Sequence, residues 1–555
     1  MSTAKERVAL LVPATALETL AVMATGTADE RPTTIFLYAM LINFLLLAGP
    51  LVGASVFMRH PRGVVTLEWI RKIPNEGLIH FREALNYSFV LVTSQQALMD
   101  VLHTRSYDFV KPHGGREFLA RGLGYGLILS EGEAHRTQRK ALTPAFSIKN
   151  IRAMYNLMWG KTLVFLQQLE REIYHNPTPG TSPGQGIGHV EIGSWANRLT
   201  LDIIGPAAVG RDFQSLENEN DPISQNFSAI LKPSGELLLL FGASLLLPQW
   251  IVKSIPCKSN IVLPRKVRHL RTLFHDILTE KRAQLQSEKS ANEVDGDILG
   301  TMMRGGEFSD SELVDQMLTF LAAGVSLILT HLPKPLFEQP SNWPEIGQHE
   351  TTAGALTWCC YHLSLNPDIQ EKLRQEIRAT IPSLSSPVTW QDLEGMPYLN
   401  GVCQEVLRLY PTVPMTGREA VRQTSIAGKV IPKGTTIALC PYTINRSPDF
   451  WGETADQFLP ERWIDSDKSG KQTPNKHGGA STNFAQITFL HGPRACIGKD
   501  FAKAEFRCAV AGLFGLFNAE LKDPAQKITF GGTLTSQPVE GINLKLTKVD
   551  GWELN

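Results

Sequence analysis

Apolar residues recur every three or four positions along much of the chain. In 154–173 (MYNLMWGKTLVFLQQLEREI) and 266–285 (KVRHLRTLFHDILTEKRAQL) this spacing predicts helices that turn one face to a core. Strand-like runs are few and short: 429–431 with 435–440, and 542–546. Two Gly/Pro/Ser-rich stretches, 176–188 and 465–481, read as loops. No internal repeat is visible, and no interdomain linker follows residue 75. The pattern predicts a mainly α protein with small β-sheets.

One stretch breaks the amphipathic rule. Residues 35–58 (IFLYAMLINFLLLAGPLVGASVFM) form a 24-residue run without a charged side chain. A membrane helix needs about 20 apolar residues, whereas the apolar core of a secretory signal spans only about 7–15. The run therefore reads as a single transmembrane helix rather than a signal or a buried soluble helix. Asp29, Glu30 and Arg31 precede it, while Arg59, Arg62, Arg71 and Lys72 follow. That asymmetry places the bulk of the protein in the cytoplasm. Residues 1–60 are read as an anchor region and 61–555 as one catalytic domain. The segment 8–24 is also apolar but carries Pro13 and Glu18, and it stays open between a second membrane segment and an interfacial one. A further run, 237–247 (LLLLFGASLLL), is too short to span; it reads as core or as a segment dipping into the bilayer interface.

Composition narrows the function classes. Lys+Arg and Asp+Glu both number 54, so no global basic field exists to hold nucleic acid. The seven cysteines are scattered and include no CxxC pair, which argues against a disulfide framework and a zinc ribbon.

The densest chemical signal is 489–498, FLHGPRACIG, with Phe489, Gly492, Arg494, Cys496 and Gly498 at fixed offsets. Such a coincidence would arise by chance in roughly one of a few thousand chains this long. A cysteine in a glycine-punctuated loop can turn its sulfur to a metal, since glycine allows positive φ and close backbone approach. Loop N–H groups and the start of a following helix would lower the thiol pKa and hold a thiolate. Arg494 offers a cation to a cofactor carboxylate. Cys508 reads as an inert buried thiol.

This loop resembles the haem-binding signature FxxGxRxCxG of the cytochrome P450 family, with every fixed position present. Glu405-Val-Leu-Arg408 resembles the family's ExxR pair, and the i, i+3 spacing puts both side chains on one helix face. Pro460-Glu-Arg462-Trp resembles PERF. The resemblance implies a structural lock of Glu405, Arg408 and Arg462 beside the haem. Upstream, EGEAHRTQRK resembles the WxxxR helix, with His135 in the tryptophan position; His135 and Arg139 would then donate to a haem propionate. His-Glu350-Thr351-Thr resembles the distal acid–alcohol pair that relays protons to bound oxygen.

The resemblance covers nearly all of the chain after residue 75. It implies haem b with Cys496 as the axial iron ligand, and Phe489 and Gly498 shaping its loop. The partners implied are O2, a small lipophilic substrate, an NADPH-cytochrome P450 reductase and cytochrome b5, at the endoplasmic reticulum membrane. Substrate contacts would come from 107–127, 231–247, 317–321, 412–415 and 534–538. The run EGEAHRTQRKALTPAF is most similar to filamentous-fungal members, many of which tailor secondary metabolites. The reaction implied is insertion of one oxygen atom. The alternatives are a haem-thiolate isomerase or dehydratase, and a non-enzymatic haem-binding membrane protein.

The chain departs from the family pattern at one place. Between Ala323-Gly324 and His349 stand 24 residues, VSLILTHLPKPLFEQPSNWPEIGQ, with Pro333, Pro335, Pro340 and Pro344. Proline in a helix interior costs about 3 kcal/mol. Joining Gly324 to His349 restores AGHETT in one unbroken helix. The insert begins Val-Ser, codable as GTAAGT, ends in Gln, codable as CAG, and keeps frame. It reads as an unspliced intron; a genuine loop insertion is the alternative.

Overall fold

Helices carry most of the described residues. In the computed structural model, which describes residues 60–82, 88–175, 177, 186–218, 235–287, 297–324, 351–531 and 535–553, the principal ones are α1 (His113–Leu123), α2 (Gly132–Leu142), α3 (Tyr155–His175), α4 (Ile192–Ile204), α5 (Gly235–Leu246), α6 (Lys258–Ser287), α7 (Asp310–Gly324), α8 (Thr351–Ser364), α9 (Pro397–Leu409) and α10 (Lys499–Leu516). The periodic runs 154–173 and 266–285 fall in α3 and α6. α8 carries no Asp, Glu, Lys or Arg and is buried continuously from Ala353 to Cys360. A helix apolar on all sides belongs in a core, and α8 packs against α4, α9 and α10 at once. α10 is similarly buried and lies across α3. Their approach needs Gly512, where a Cβ would fall 2.5 Å from the Thr162 methyl.

The strands are β1 (Leu78–Arg82), β2 (Ser88–Val92), β3 (Phe109–Val110), β4 (Ile187–Glu191), β5 (Thr416–Ala420), β6 (Thr436–Leu439), β7 (Phe517–Leu521) and β8 (Asn543–Lys548). One sheet has the order β1-β2-β6-β5-β3, with β2 and β6 parallel; another has β7-β8-β4, antiparallel throughout. The expected runs 435–440 and 542–546 become β6 and β8, while Lys429–Ile431 pairs with Thr424–Ile426 as a small hairpin. β1, β2, β3, β4, β5 and β7 were not expected from the pattern. Each has at most five residues, too few for period-2 alternation to stand out. Within 465–481, expected as loop, Ile464–Ser466 pairs with Gln472–Pro474.

The run 237–247 resolves toward core on one face. Leu237, Leu240 and Ala243 pack with Phe118, Val252 and Cys257. Just beyond it, Trp250 is 71% exposed and Ile261 56%. Among the described residues no helix is long and apolar enough to cross a membrane. The segments 8–24 and 35–58 lie outside the described residues, as do the insert 325–348 and Glu350. α7 ends at Gly324 and α8 begins at Thr351, and both pack on α4.

Candidate active site

The 489–498 loop is tightly closed. Cys496 N–H donates to the Phe489 carbonyl at 2.9 Å, and Ala495 N–H to the Gly492 carbonyl at 3.1 Å. Gly492 has φ 74°, and a Cβ there would fall 2.0 Å from the Leu102 carbonyl oxygen, so the loop can lie against that backbone only with glycine. Gly498 departs from the expected positive φ. It caps α10 at φ −83°, and a Cβ there would meet no protein atom within 4 Å.

Cys496 lines a cleft of about 850 Å³, together with Arg139, Phe489, Lys499 and Lys503. The other six cysteines are buried. Cys440, for example, has its sulfur 3.2 Å from the Pro414 carbonyl and 3.0 Å from the Thr443 hydroxyl. Although Cys496 is exposed at the cleft, desolvation by the surrounding loop pushes its thiol up, against the Gly498 N–H, Arg139 and Lys499. This corrects the expectation that loop and helix alone hold a thiolate.

Behind the loop, Glu405 and Arg408 are wholly buried and doubly hydrogen bonded, at 2.7 and 2.8 Å. Arg462 Nε and Trp463 Nε1 also donate to Glu405, at 3.0 and 2.9 Å. Arg408 spends its other protons on the carbonyls of Asn445, Ala455 and Gln457. Burial opposes ionisation of Glu405, yet Arg408 and Arg462 hold its pKa below the usual carboxylate value. Asn445 carries the connection onward. Its amide donates to Thr488 Oγ1 at 2.8 Å, and its Oδ1 accepts from Ile487 N–H at 2.9 Å. The three expected lock residues therefore meet, and one further side chain ties them to the start of the cysteine loop.

On the other flank, Arg494 donates to the Phe109 carbonyl at 2.5 Å and to Glu131. Glu131 also accepts from the backbone N–H and ammonium of Lys111, at 2.9 and 3.3 Å. Buried Arg418 on β5 joins them and donates to the Gly417 carbonyl at 2.8 Å. Lys111 and Arg494 thus meet at one carboxylate, with the Arg418 guanidinium within its electrostatic reach. The Nε of Arg494 is buried without a hydrogen-bond partner. Burial, aided by Arg494 and Arg418, brings Lys111 down to about 7 against the pull of Glu131. Burial and Arg494 likewise bring Arg418 to about 10.

His135 and Arg139 share a face of α2 but differ in partners. His135 is buried, with Nδ1 3.2 Å from the Tyr107 hydroxyl. Burial, then Arg494 and Lys111, lower its pKa to about 4, so the imidazole is neutral. Arg139 donates to the Ala495 carbonyl at 2.6 Å, next to Cys496.

A family model described as Cytochrome P450 matches residues 57–327 and 346–545. The chain belongs to the cytochrome P450 family. It is similar to the cytochrome P450 monooxygenase ALT8 of Alternaria alternata, at 36% identity over 89% of this chain and 86% of that protein. It is also similar to the monooxygenase sphH of Aspergillus fumigatus, at 35% over 87% and 83%, and to ptmK of Penicillium ochrochloron, at 33% over 88% and 89%. This P450 is an oxidoreductase whose cofactor is haem held by a cysteine thiolate. Its residues fit that group: Cys496 is the one exposed cysteine of the seven, and Arg494, two residues before it, keeps a buried Nε without a partner.

On the distal side of this P450, Thr351 opens α8, and its carbonyl accepts from the Thr412 hydroxyl at 3.0 Å. The Glu505 carboxyl of α10 is buried beside Thr352. Burial raises its pKa to about 8 against the Thr352 hydroxyl, and its Oε1 has no partner. Expected substrate segments make two separate contacts. Leu127 N–H bonds Gln316 on α7 at 3.0 Å, and Ser536 N–H bonds the Thr412 carbonyl at 2.7 Å. Sequence reasoning missed Lys111, Glu131, Arg418 and Glu505. A lone Arg in a short strand and a Glu inside an apolar helix were the available signals.

Proposed function

We propose that this protein is a membrane-anchored haem-thiolate monooxygenase. It inserts one atom of O2 into a lipophilic small molecule of fungal secondary metabolism, with electrons from NADPH through a reductase. The observation that supports the reading is the closed 489–498 loop, with Cys496 N–H on the Phe489 carbonyl and Arg494 tied to the Phe109 carbonyl and to Glu131. Haem with a thiolate ligand supplies the oxygen activation and transfer. The side chains supply the rest. Cys496 offers its sulfur to the iron. Lys111, Arg418 and Arg494 hold the two carboxylates, and Arg139 braces the loop at Ala495. Glu405, Arg408 and Arg462 fix the backbone from which the loop departs. The Thr351 hydroxyl and the Glu350 carboxyl pass protons inward. Residues of the segments 107–127, 317–321, 412–415 and 534–538 would form the wall that selects an apolar substrate and excludes water.

The reductase docks where Arg139, Arg152, Lys499 and Arg507 line the Cys496 cleft, a surface suited to an acidic partner. Residues 35–58 anchor the chain in the endoplasmic reticulum, with exposed Trp250 and Ile261 touching the bilayer. The functional protein lacks 325–348. Supporting this, the family match breaks between 327 and 346, inside that stretch. Transcripts containing the codons for LPKPLFEQP in active protein would sink that last point. The reaction is tested with NADPH, reductase and isotopically labelled dioxygen on candidate substrates. Product carrying one labelled oxygen supports the reading; rearranged product without label, formed without NADPH, rejects it.

A further inference from the structure

The segment 124–130 lies across α7, and their contact leaves two polar groups without partners. Tyr125 N–H donates to the Asp315 carboxylate at 2.9 Å, and Leu127 N–H to Gln316 Oε1 at 3.0 Å. A Cβ on Gly126 would fall 2.1 Å from Thr319 Oγ1, so only glycine lets the two backbones come this close. Ser130 N–H returns to the Gly126 carbonyl at 2.9 Å. The next residue is Glu131, which Arg494 holds two positions before Cys496. One turn of chain thus links the residue covering Thr319 to the salt bridge of the cysteine loop.

Gln316 is wholly buried and Thr319 is 4% exposed, yet Gln316 Nε2 and Thr319 Oγ1 have no hydrogen-bond partner. A buried threonine in a helix commonly returns its hydroxyl to the carbonyl four residues back. Thr162, Thr200 and Thr357 do so in this fold, at 2.8, 3.1 and 2.8 Å. Thr319 does not. Buried polar groups without partners destabilise a fold. These two stand one turn apart on one face of α7, the helix that also contacts α8, where Thr351 begins. The nearby charge is already matched. The Asp315 carboxylate pairs with Arg271 at 2.6 Å besides accepting the Tyr125 N–H. What remains is a neutral amide N–H, which can only donate, and a neutral hydroxyl. Their complement is an uncharged oxygen.

We propose that Gln316 and Thr319 grip one uncharged oxygen of the substrate, a ketone, ester or hydroxyl oxygen, and so select a lipophile that already carries oxygen over a plain hydrocarbon. The inference rests on the haem-thiolate monooxygenase reading above and names the substrate class of that site. The Gln316 amide and the Thr319 hydroxyl both donate to the guest oxygen, while Gln316 Oε1 keeps the Leu127 N–H. A small outward shift of the 124–127 turn admits the guest. Gly124, at φ 70°, and Gly126 give the turn that freedom. A site built this way rejects an analogue lacking the oxygen, because its buried donors are then left unpaired. The reaction that supplies the substrate must therefore leave a carbonyl or hydroxyl in place, and this enzyme adds a second oxygen elsewhere on the molecule.

The test uses full-length ferric holoenzyme whose ferrous–CO band has been recorded. Methyl ketones of graded chain length are titrated, each beside the alkane and the carboxylate of equal length, with binding read by equilibrium dialysis and by the Soret shift. The best ketone should bind about tenfold tighter than its alkane, the worth of one net hydrogen bond. Thr319→Val keeps the side-chain shape without the hydroxyl, and Gln316→Glu keeps an acceptor for Leu127 without the amide donor. Each should cut that ratio several-fold by weakening the ketone alone, while Thr319→Ser should retain it. Thr319→Val should also melt no lower than the parent, since the hydroxyl it removes has no partner in the fold. With a normal ferrous–CO band, the inference alone is overturned if no ketone outbinds its alkane, if a carboxylate outbinds its ketone, or if Thr319→Val keeps the parent's ratio. A loss of several degrees in the melting temperature of Thr319→Val also overturns it, because the hydroxyl would then serve the fold. An absent thiolate band overturns the haem-thiolate reading and this inference with it.

Discussion

The thiolate side and the distal side of the site are built differently. On the thiolate side, the cysteine loop, Asn445 and the Glu405–Arg408–Arg462 lock form one hydrogen-bonded unit. Each oxygen of the Glu405 carboxylate has at least two partners, drawn from its own helix at Arg408 and from the stretch 459–463. On the distal side, α7 and α8 each pack well on α4, yet the chain between them carries four prolines in its 24 added residues. The contrast separates two requirements. Holding a cofactor needs a rigid loop, and that is complete here. Delivering protons needs one helix to place Glu350 and Thr351 together, and the added residues stand between Gly324 and that pair.

The largest effect is expected from breaking the lock. Glu405→Ala leaves Arg408, Arg462 and the Trp463 N–H facing an empty pocket, and an uncompensated buried charge costs about 3–5 kcal/mol. Haem content per chain and the melting temperature should both collapse. Retention of full haem occupancy would show that the lock is dispensable. Next comes the distal pair. Thr351→Ala should keep the haem spectrum while product per NADPH drops about a hundredfold and peroxide rises, since positioned acid–base groups contribute about that much. Unchanged coupling would remove Thr351 from the proton path.

Deleting 325–348 should sharpen the comparison from the other direction. The shortened chain joins Gly324 to His349 in one helix, so coupling should rise several-fold and the melting temperature should increase by several degrees. Equal coupling in both chains would mean that the insert leaves the distal site intact.

An effect confined to a pH window concerns Glu505. Its folded pKa, about 8, stands above the ordinary 4.5. Between those values the folded chain holds a proton that the unfolded chain has lost. Stability therefore falls as pH rises through this window, by about 1.4 kcal/mol per pH unit. Glu505→Gln should remove that slope, so the variant gains on the parent from pH 5 to pH 8 in denaturant titrations. Parallel curves would mean that Glu505 is ionised in the fold.

What was legible in the sequence follows contact distance along the chain. Phe489–Leu–His–Gly492 through Gly498, and Glu405 with Arg408, are read easily because their partners sit within one loop or one helix turn. The cation cluster is not readable that way. Arg494 meets Glu131 across 363 positions, and Lys111 meets it across 20. Arg418 looks like any strand arginine until β5 brings it beside Arg494. The helices were predicted because α3 and α6 repeat over many turns. The short strands were not, since β2 finds β6 only through a parallel pairing of residues 89–91 with 436–438.

The central claim is that Cys496 binds the haem iron as a thiolate in this chain. The most direct measurement is the ferrous–CO absorption spectrum of the full chain beside Cys496→Ser. The account predicts the strongly red-shifted band of thiolate ligation in the parent and its loss in the variant. The same red-shifted band surviving in Cys496→Ser would contradict it.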